Sequence, residues 1–318
     1  MDRRDFLKIF SAGTVAAMGG QLAWRVNDVP FGHAIYEDIP TDQLDLARSI
    51  ELMSTPAPDP GAFLRAFEGR ASSHVVASND LDAYLEKMSN FESAHQDDVF
   101  LEPPRYAVLI STFKRLDRVQ NLVGHGNFNV LSFDEMLKYS SRYESVGAFT
   151  KNEKEFLEEL FTSSAEQYGF YGQKVIDQIT AIVPDNDRIK VPYTGHFLYK
   201  GDSFRLYEKV RKDVGGNVVL TSGIRSVVKQ SHLFLAKTIQ AKGNLSRASR
   251  SLAPPGHSFH GIGDFDVGKI GYGARNFTSE FARTEEFKRL VDLGYIDMRY
   301  PRDNLLGVRY EPWHIKVV

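Results

Sequence analysis

Two histidines and two acidic residues near the end of the sequence have side chains that could hold a metal ion and activate water. His260 and Asp266 lie in the segment APPGHSFHGIGDFDVG, and Glu311 and His314 lie in RYEPWHIKVV. Two imidazoles and one carboxylate would give zinc three protein ligands and leave a fourth position for water. Glu311 would then be the general base that takes a proton from water. The sequence has no cysteine, so any metal must be held by His, Asp or Glu.

A short strand between glycines would carry the carboxylates. In GDFDVGKIG, Asp264 and Asp266 project from one face of the strand, whereas Phe265 and Val267 project from the other. Two carboxylates on one face of an otherwise apolar strand are costly to bury without a partner. A bound cation is the simplest explanation, and a solvated loop with ordinary turn residues is the alternative.

The segment RYEPWHIKVV is predicted to finish as a second strand, because polar and apolar residues alternate in HIKVV. Strict alternation would place Glu311 and His314 on opposite faces of that strand. Pro312 disfavours a regular ladder, so a local break there would turn both side chains towards the metal. The alternative is an ordinary edge strand, in which Pro312 blocks further pairing and Trp313 fills the core.

The first half of the chain is predicted to be mainly helical, from residue 41 to residue 181. The segments NDLDAYLEKM and QKVIDQITAIV carry apolar residues at helical spacing. SFDEMLKY and TKNEKEFLEELF each open with a capping box, formed by Ser132 with Glu135 and by Thr150 with Glu153. These segments predict amphipathic helices.

The second half mixes helices with short strands. The patterns predict helices at SFRLYEKVRKD, VVKQSHLFLAKTIQA and TSEFARTEEFKRLVDLGY, and strands at NVVLTSG, GDFDVGKIG, DMRYP and GVRYEPWHIKVV. The basic segment KGNLSRASRSLAPPGHS is predicted to be a polar, flexible loop. Helices segregated from short, mostly consecutive strands predict an α+β domain. We place this domain at residues 186–318, after a mainly helical region at 31–185 and a signal or anchor at 1–30.

The composition is that of an ordinary globular protein. The chain has 318 residues, enough for one or two domains, with 42% hydrophobic and 25% charged residues. A formal net charge of −2 gives no reason to expect a nucleic acid as a partner.

The first residues, MDRRDFLKIFSAGTVAAMGG, resemble a twin-arginine export signal. Arg3 and Arg4 are followed by Phe6, Leu7 and Lys8 and then by a Gly/Ala-rich run. The resemblance implies export of a folded protein, to the periplasm or its equivalent. The run contains no clean Ala-x-Ala cleavage site, so the segment could remain as a membrane anchor.

Three ordered blocks, TSGIRSVVKQ, PPGHSFHGIGDFDVG and YEPWHIKVV, resemble those of the VanY-type zinc D-alanyl-D-alanine carboxypeptidases. The resemblance covers residues 217–318 and implies the metallopeptidase fold shared with phage endolysins and Hedgehog proteins, with a small antiparallel sheet and flanking helices. It implies one zinc per chain, with Glu311 as the base. The zinc ligands implied by the family pattern are His260, Asp266 and His314. The substrate-binding residues implied are Arg225, Gln230 and Ser258.

This sequence departs from the family pattern in two places. Ile224 replaces the usual Tyr beside the Arg, and five residues instead of six separate His260 from Asp266. The shorter spacing makes Asp264 and His257 rival ligands. We retain His260 with Asp266, because the Ser-x-His context and the following FDVG match the family blocks.

The resemblance implies a zinc peptidase of the cell envelope that removes a C-terminal D-alanine from peptidoglycan stem peptides. Arg225 would bind either the terminal carboxylate of the substrate or the oxyanion formed when water attacks the carbonyl. The alternatives are an endopeptidase that cuts cross-links and a non-catalytic peptidoglycan-binding module with structural zinc. Glu311 argues against the module, because a structural zinc site needs no base.

Overall fold

The computed structural model describes residues 78–318 of the chain. The predicted export signal and the start of the helical region therefore lie outside the described residues. None of the helices within residues 78–318 is long and apolar enough to cross a membrane. The helices of four or more residues in α conformation are α1 (Ser78–Ser89), α2 (Pro103–Val123), α3 (His125–Phe128), α4 (Phe133–Arg142), α5 (Lys151–Thr162), α6 (Asp202–Val214), α7 (Val227–Gln240), α8 (Leu245–Ser251) and α9 (Glu285–Asp292).

Both predicted capping boxes are confirmed. At the start of α4, the Glu135 amide donates to the Ser132 hydroxyl, and the Ser132 amide donates to the Glu135 carboxylate. Thr150 and Glu153 make the same pair of bonds at the start of α5. Each box satisfies two backbone N–H groups that would otherwise be left unpaired at the start of the helix.

The strands form two small antiparallel sheets, which confirms the predicted α+β class. Strands β1 (Arg188–Lys190) and β2 (Phe197–Tyr199) make a hairpin. Strands β3 (Val218–Ser222), β4 (Phe265–Lys269) and β5 (His314–Ile315) make a three-stranded sheet with β4 in the centre. The register places Ser222 and His314 on either side of Asp266, so three polar side chains lie on adjacent strands at one level of the sheet.

The two faces of the central strand have different neighbours. Phe265 and Val267 point into an apolar core formed with residues of α6, β3 and α9. A second apolar core joins α2, α4 and α5 of the helical region to α7 and α8, and it includes Leu116, Phe234 and Tyr300. Helix α7 therefore connects the helical region to the part of the chain that carries the sheet. The domain boundaries proposed above stay predictions.

Several local predictions were wrong. QKVIDQITAIV forms no helix: the amides of Val175 and Ile176 both donate to the Gly256 carbonyl, so the segment bonds to a distant loop. The predicted flexible loop contains α8, where the Asn244 side chain caps the first turn and Arg250 is 2% exposed. DMRYP forms no strand. The last strand, β5, is only two residues long, because a turn at Glu311 precedes it. TSEFAR forms a 3-10 turn before α9.

Candidate metal centre

Three buried side chains bring potential metal ligands together. His260 lies in the 3-10 turn Phe259–Gly261, Asp266 on β4 and His314 on β5. The Asp266 Oδ1 atom is 3.1 Å from His260 Nε2 and 3.3 Å from His314 Nδ1. One ligand atom from each residue lies within 4.8 Å of the other two, and all three side chains are buried. The structure thus brings together the three residues that the sequence suggested as ligands.

Each imidazole is oriented by a hydrogen bond at its other nitrogen. His260 Nδ1 is 2.8 Å from the Gly223 carbonyl oxygen, a bond in which only the nitrogen can donate. His314 Nε2 is 2.9 Å from Asp264 Oδ2. These bonds leave His260 Nε2 and His314 Nδ1 facing Asp266. Metal-binding histidines are commonly fixed in this way by a carbonyl or carboxylate partner.

Asp264 and Asp266 have different partners although only one residue separates them, Asp264 just before β4 and Asp266 within it. Asp264 accepts hydrogen bonds from Arg299 Nε at 2.6 Å and from the Val317 amide at 2.8 Å, in addition to its contact with His314. It is therefore placed behind His314 and outside the three-ligand group. The other rival, His257, lies with Nδ1 3.0 Å from the Gly172 carbonyl oxygen and is likewise outside the group.

A turn brings Glu311 to the same group. The His314 amide donates to the Glu311 carbonyl at 3.3 Å, and the Glu311 Oε2 atom is 3.8 Å from His314 Nδ1. The chain therefore departs from strand alternation at the Pro312 position, as the sequence suggested. Glu311 is 9% exposed, so its carboxyl group is close to the potential ligands in a site with little water.

Burial and neighbouring charges shift the pKa values of these groups in different directions. Burial raises the pKa of Glu311 to about 7, although the nearby His314 and Arg309 oppose the shift. Burial also lowers the pKa of His260, and Arg225 adds to this effect. For His314, burial acts to lower the pKa, but hydrogen bonds to Asp264 and Asp266 outweigh it and raise the pKa to about 9.

Asp266 remains a carboxylate in spite of its burial. Burial alone would raise its pKa, but the charges of His260 and Arg225 hold the pKa well below its usual range. The site therefore combines an anionic ligand atom with two imidazole nitrogens. Glu311 contributes a carboxyl group that exchanges its proton near neutral pH, and such unequal pKa values are typical of functional sites.

The predicted substrate-binding residues lie around the ligand group. Arg225 donates from Nη2 to Asp266 Oδ2 at 2.5 Å and from Nε to the Ser222 hydroxyl at 2.8 Å. Gln230 is buried in α7 and donates to the Ala253 carbonyl at 2.5 Å, so it holds the loop that leads to His260. Ser258 is buried and directly precedes the turn that carries His260. Their roles towards a substrate stay predictions.

A cleft of about 350 Å³ opens beside Arg225. It is lined by residues 175–178 and 181–183, by Tyr199, by residues 225–227, and by Gly261 and Ile262. The wall at 175–183 comes from the segment that the sequence wrongly predicted as a helix. No local pattern could have placed it here, because its backbone partner, Gly256, is far along the chain.

Two further residues of the site were missed in the sequence. Arg299 binds Asp264, and the Tyr300 ring stands edge-on to the His314 ring with 5.1 Å between centres. Both belong to DMRYP, which was predicted as a strand. The segment instead runs as an irregular chain behind His314.

An α+β domain with a buried two-histidine, one-carboxylate group and a nearby glutamate has the features of a metallopeptidase. Residues 202–318 match the model of the VanY family, described as D-alanyl-D-alanine carboxypeptidase. The resemblance predicted from the sequence is thereby confirmed over residues 202–318.

One similar solved structure is a mutant of the vancomycin resistance D,D-pentapeptidase VanY from a VanB-type resistance cassette, in complex with Zn(II). The two chains are 24% identical, the TM-score is 0.34, and the match covers 45% of this chain and 85% of the other. None of the curated proteins compared with the chain matches it.

Proposed function

We propose that the protein is an exported, zinc-dependent D-alanyl-D-alanine carboxypeptidase that trims peptidoglycan stem peptides. The observation that carries the proposal is the group of His260, Asp266 and His314 with Glu311 beside it, 3.8 Å from His314. This group lies within the residues that match the carboxypeptidase family. An endopeptidase would have to use the same four residues, whereas a non-catalytic module with structural zinc would have no use for Glu311.

The donor set fits zinc. Two imidazoles and a carboxylate are ligands that zinc accepts, and three protein ligands are typical of catalytic zinc sites. His314, whose pKa is raised to about 9, would release a proton on binding the metal. The VanY structure described above contains Zn(II), which supports the choice of metal. When bound, zinc acts as a Lewis acid that polarises a carbonyl group and lowers the pKa of water. We expect about one zinc per chain, lost in both His260→Ala and His314→Ala, and stoichiometric zinc in these variants would contradict the ligand assignment.

Glu311 is proposed as the proton carrier of the reaction. Its carboxylate takes a proton from the water that attacks the scissile carbonyl, and it then passes that proton to the leaving amine. A pKa of about 7 suits both steps, because the group can accept and release a proton near neutral pH. Its burial limits access of bulk water to the proton during the transfer.

Arg225 is proposed to bind the substrate at the side of the cleft. Its guanidinium group is planar and can form paired hydrogen bonds with a carboxylate. If it binds the terminal carboxylate, Arg225→Ala should raise KM, and C-terminally amidated peptides should be poor substrates of the wild type. If it binds the oxyanion, the loss should appear in kcat, and amidation should matter little.

Mass spectrometry of defined muropeptides tests the proposed activity directly. Zinc-loaded protein should shorten a pentapeptide stem by one alanine, and protein stripped of zinc by a chelator should not. Cleavage only within cross-links would favour the endopeptidase. Binding of the muropeptides without any cleavage would favour the non-catalytic module.

Export is proposed from the sequence alone, because Arg3 and Arg4 lie outside the described residues. Replacing both with Lys should leave the folded protein in the cytoplasm, since the arginine pair is the address that the export machinery recognises. Fractionation of cells that express the wild type and the double variant measures this. Unchanged export of the double variant would rule the route out.

A further inference from the structure

The loop at residues 223–226, between β3 and α7, sets the positions of two candidate metal ligands. The Gly223 carbonyl accepts the hydrogen bond from His260 Nδ1 at 2.8 Å, and the Arg225 amide donates to the His260 carbonyl at 3.3 Å. The Arg225 side chain donates to Asp266 Oδ2 at 2.5 Å. The orientation of both ligands therefore depends on where this loop is held.

Two of the bonds that hold this loop come from residues before the family match, which begins at residue 202. The Ser226 amide donates to the Asn129 carbonyl at 2.8 Å, and the Ile224 amide donates to the Phe197 carbonyl at 2.8 Å. Asn129 directly follows α3 in the helical region, and Phe197 is the first residue of β2. The loop is therefore supported by the helical region and by the hairpin of β1 and β2.

The side chain of Ile224 adds an apolar contact to these bonds. Ile224 stands where the family pattern has Tyr, and its side chain is buried. It forms a small apolar cluster with Val130 and Val183, against which Phe197 packs. Since Val130 is adjacent to Asn129, the departure from the family pattern lies at the contact with the helical region.

Asn129 also joins the two supports of the loop to each other. Its Nδ2 atom is 3.2 Å from His196 Nδ1 and donates to the Gly195 carbonyl at 3.5 Å. A carbonyl oxygen can only accept, so the NH2 group of Asn129 faces the hairpin and donates to His196 as well. Asn129 is 4% exposed, and a buried amide that lost these partners would be costly.

We infer that Asn129 is a positioning residue of the metal centre, acting on His260 through the loop at residues 223–226. Its carbonyl fixes the loop at Ser226, and its side-chain amide fixes the hairpin that holds the loop at Ile224. The Gly223 carbonyl is thereby kept where it orients His260. This inference rests on the zinc site of the proposed function and gives the helical region a part in that site.

The zinc affinity of the folded full chain, measured by competition with a chelator, tests the inference. Asn129→Ala should weaken zinc binding roughly three- to tenfold, less than the about 10- to 100-fold typical of residues that touch a ligand directly. Asn127→Ala is the matched control and should bind zinc like the wild type, because Asn127 is an exposed asparagine whose amide donates to the Val123 carbonyl. A purely structural role of Asn129 would lower the free energy of unfolding and leave the zinc affinity of the folded variant unchanged.

Variants of His196 test the same bond from its other end. His196→Ala should weaken zinc binding as Asn129→Ala does, whereas His196→Asn, which keeps an acceptor close to the position of Nδ1, should retain most of the affinity. The losses in Asn129→Ala and His196→Ala should not add in the double variant, since each removes the same bond. Equal zinc affinity in His196→Ala and His196→Asn, or wild-type affinity in folded Asn129→Ala, would overturn the inference and leave the proposed function intact. Failure of the wild type to bind zinc would overturn both.

Discussion

Two aspartates with buried side chains, Asp98 and Asp266, each pair with a buried arginine, yet their surroundings differ. Asp98 accepts two hydrogen bonds from Arg250, at 2.6 Å and 3.1 Å, one from the Asn244 side chain at 2.7 Å and one from the His95 amide at 2.9 Å. Arg250 also donates to the backbone carbonyls of Phe91 and Ser93. All of these donors are fixed, so this cluster is suited to joining α8 to the chain before α2.

Asp266 faces partners that can change their protonation or bind a metal. Its Oδ1 atom lies between two imidazole nitrogens, and the Glu311 carboxyl group, which has a raised pKa, is 3.8 Å from the same His314 nitrogen that faces Asp266. Arg225 alone provides a fixed charge. The buried carboxylate of Asp98, whose hydrogen bonds all come from permanent donors, is therefore suited to a structural role. The carboxylate of Asp266, which lies among titratable groups, is suited to a functional role.

The largest effect on stability is expected at the Asp98 cluster. Asp98→Ala would leave Arg250 as an uncompensated buried charge, and we expect the free energy of unfolding to fall by about 3–5 kcal/mol. Asp97→Ala is the control, because the Asp97 side chain is 74% exposed and pairs only with Lys87 among the salt bridges described. Chemical denaturation of both variants measures the difference, and equal small losses would contradict the structural role of Asp98.

Lys229 is a buried amine whose hydrogen-bond partner is an amide, whereas Arg225 and Arg250 are each paired with a carboxylate. Lys229 donates to the Gln120 side chain at 3.0 Å, and burial, reinforced by Arg225, lowers its pKa from 10.5 to about 7. Between these two values the unfolded chain holds a proton that the folded chain has lost. Stability should therefore rise with pH across this window, by about 1.4 kcal/mol per pH unit for this group.

The variant Lys229→Met removes that dependence. At pH 7 we expect it to be about 1–4 kcal/mol more stable than the wild type, with the advantage shrinking as the pH rises towards 10. Lys288→Met, at an exposed lysine paired with Glu285, should stay within about 0.5 kcal/mol of the wild type. Unfolding free energies at several pH values test this, and a pH-independent difference for Lys229→Met would contradict the lowered pKa.

The smallest expected effect is a loss of zinc affinity at Asp264, the carboxylate that contacts His314 from behind the metal centre. Asp264→Asn should weaken zinc binding about 10- to 100-fold, because His314 loses the charged partner that orients it. Asp266→Ala, which removes a ligand, should lose zinc altogether. Competition with a chelator of known affinity measures both variants. A stronger defect in Asp264→Asn than in Asp266→Ala would mean that the ligand is Asp264.

The candidate metal ligands were easier to find in the sequence than the residues that hold the structure around them in place. His260, Asp266 and His314 could be found because each sits in a short block of characteristic residues, and Pro312 signalled the turn that brings Glu311 close. The Asp98 and Arg250 pair could not be found, because its members lie 152 positions apart and the Ser/Arg pattern of α8 is also that of a solvated loop.

The prediction of a helix at residues 173–183, which form one wall of the cleft, was wrong for a related reason. The spacing of apolar residues in QKVIDQITAIV fits a helix, but the same residues also suit an irregular segment that packs against a distant loop. Local periodicity cannot separate the two, since the deciding hydrogen bonds go to Gly256. The conformation of this segment is therefore determined by long-range contacts, which local sequence patterns do not reveal.

We propose that Glu311 carries the proton beside a metal held by other residues. Glu311→Gln keeps the size of the side chain but cannot accept a proton. The decisive measurement is turnover of a D-Ala-D-Ala peptide by this variant, together with its zinc content. We predict zinc near one per chain and a turnover lower by about a hundred- to ten-thousand-fold. Wild-type turnover in a Glu311→Gln protein with normal zinc would contradict the account.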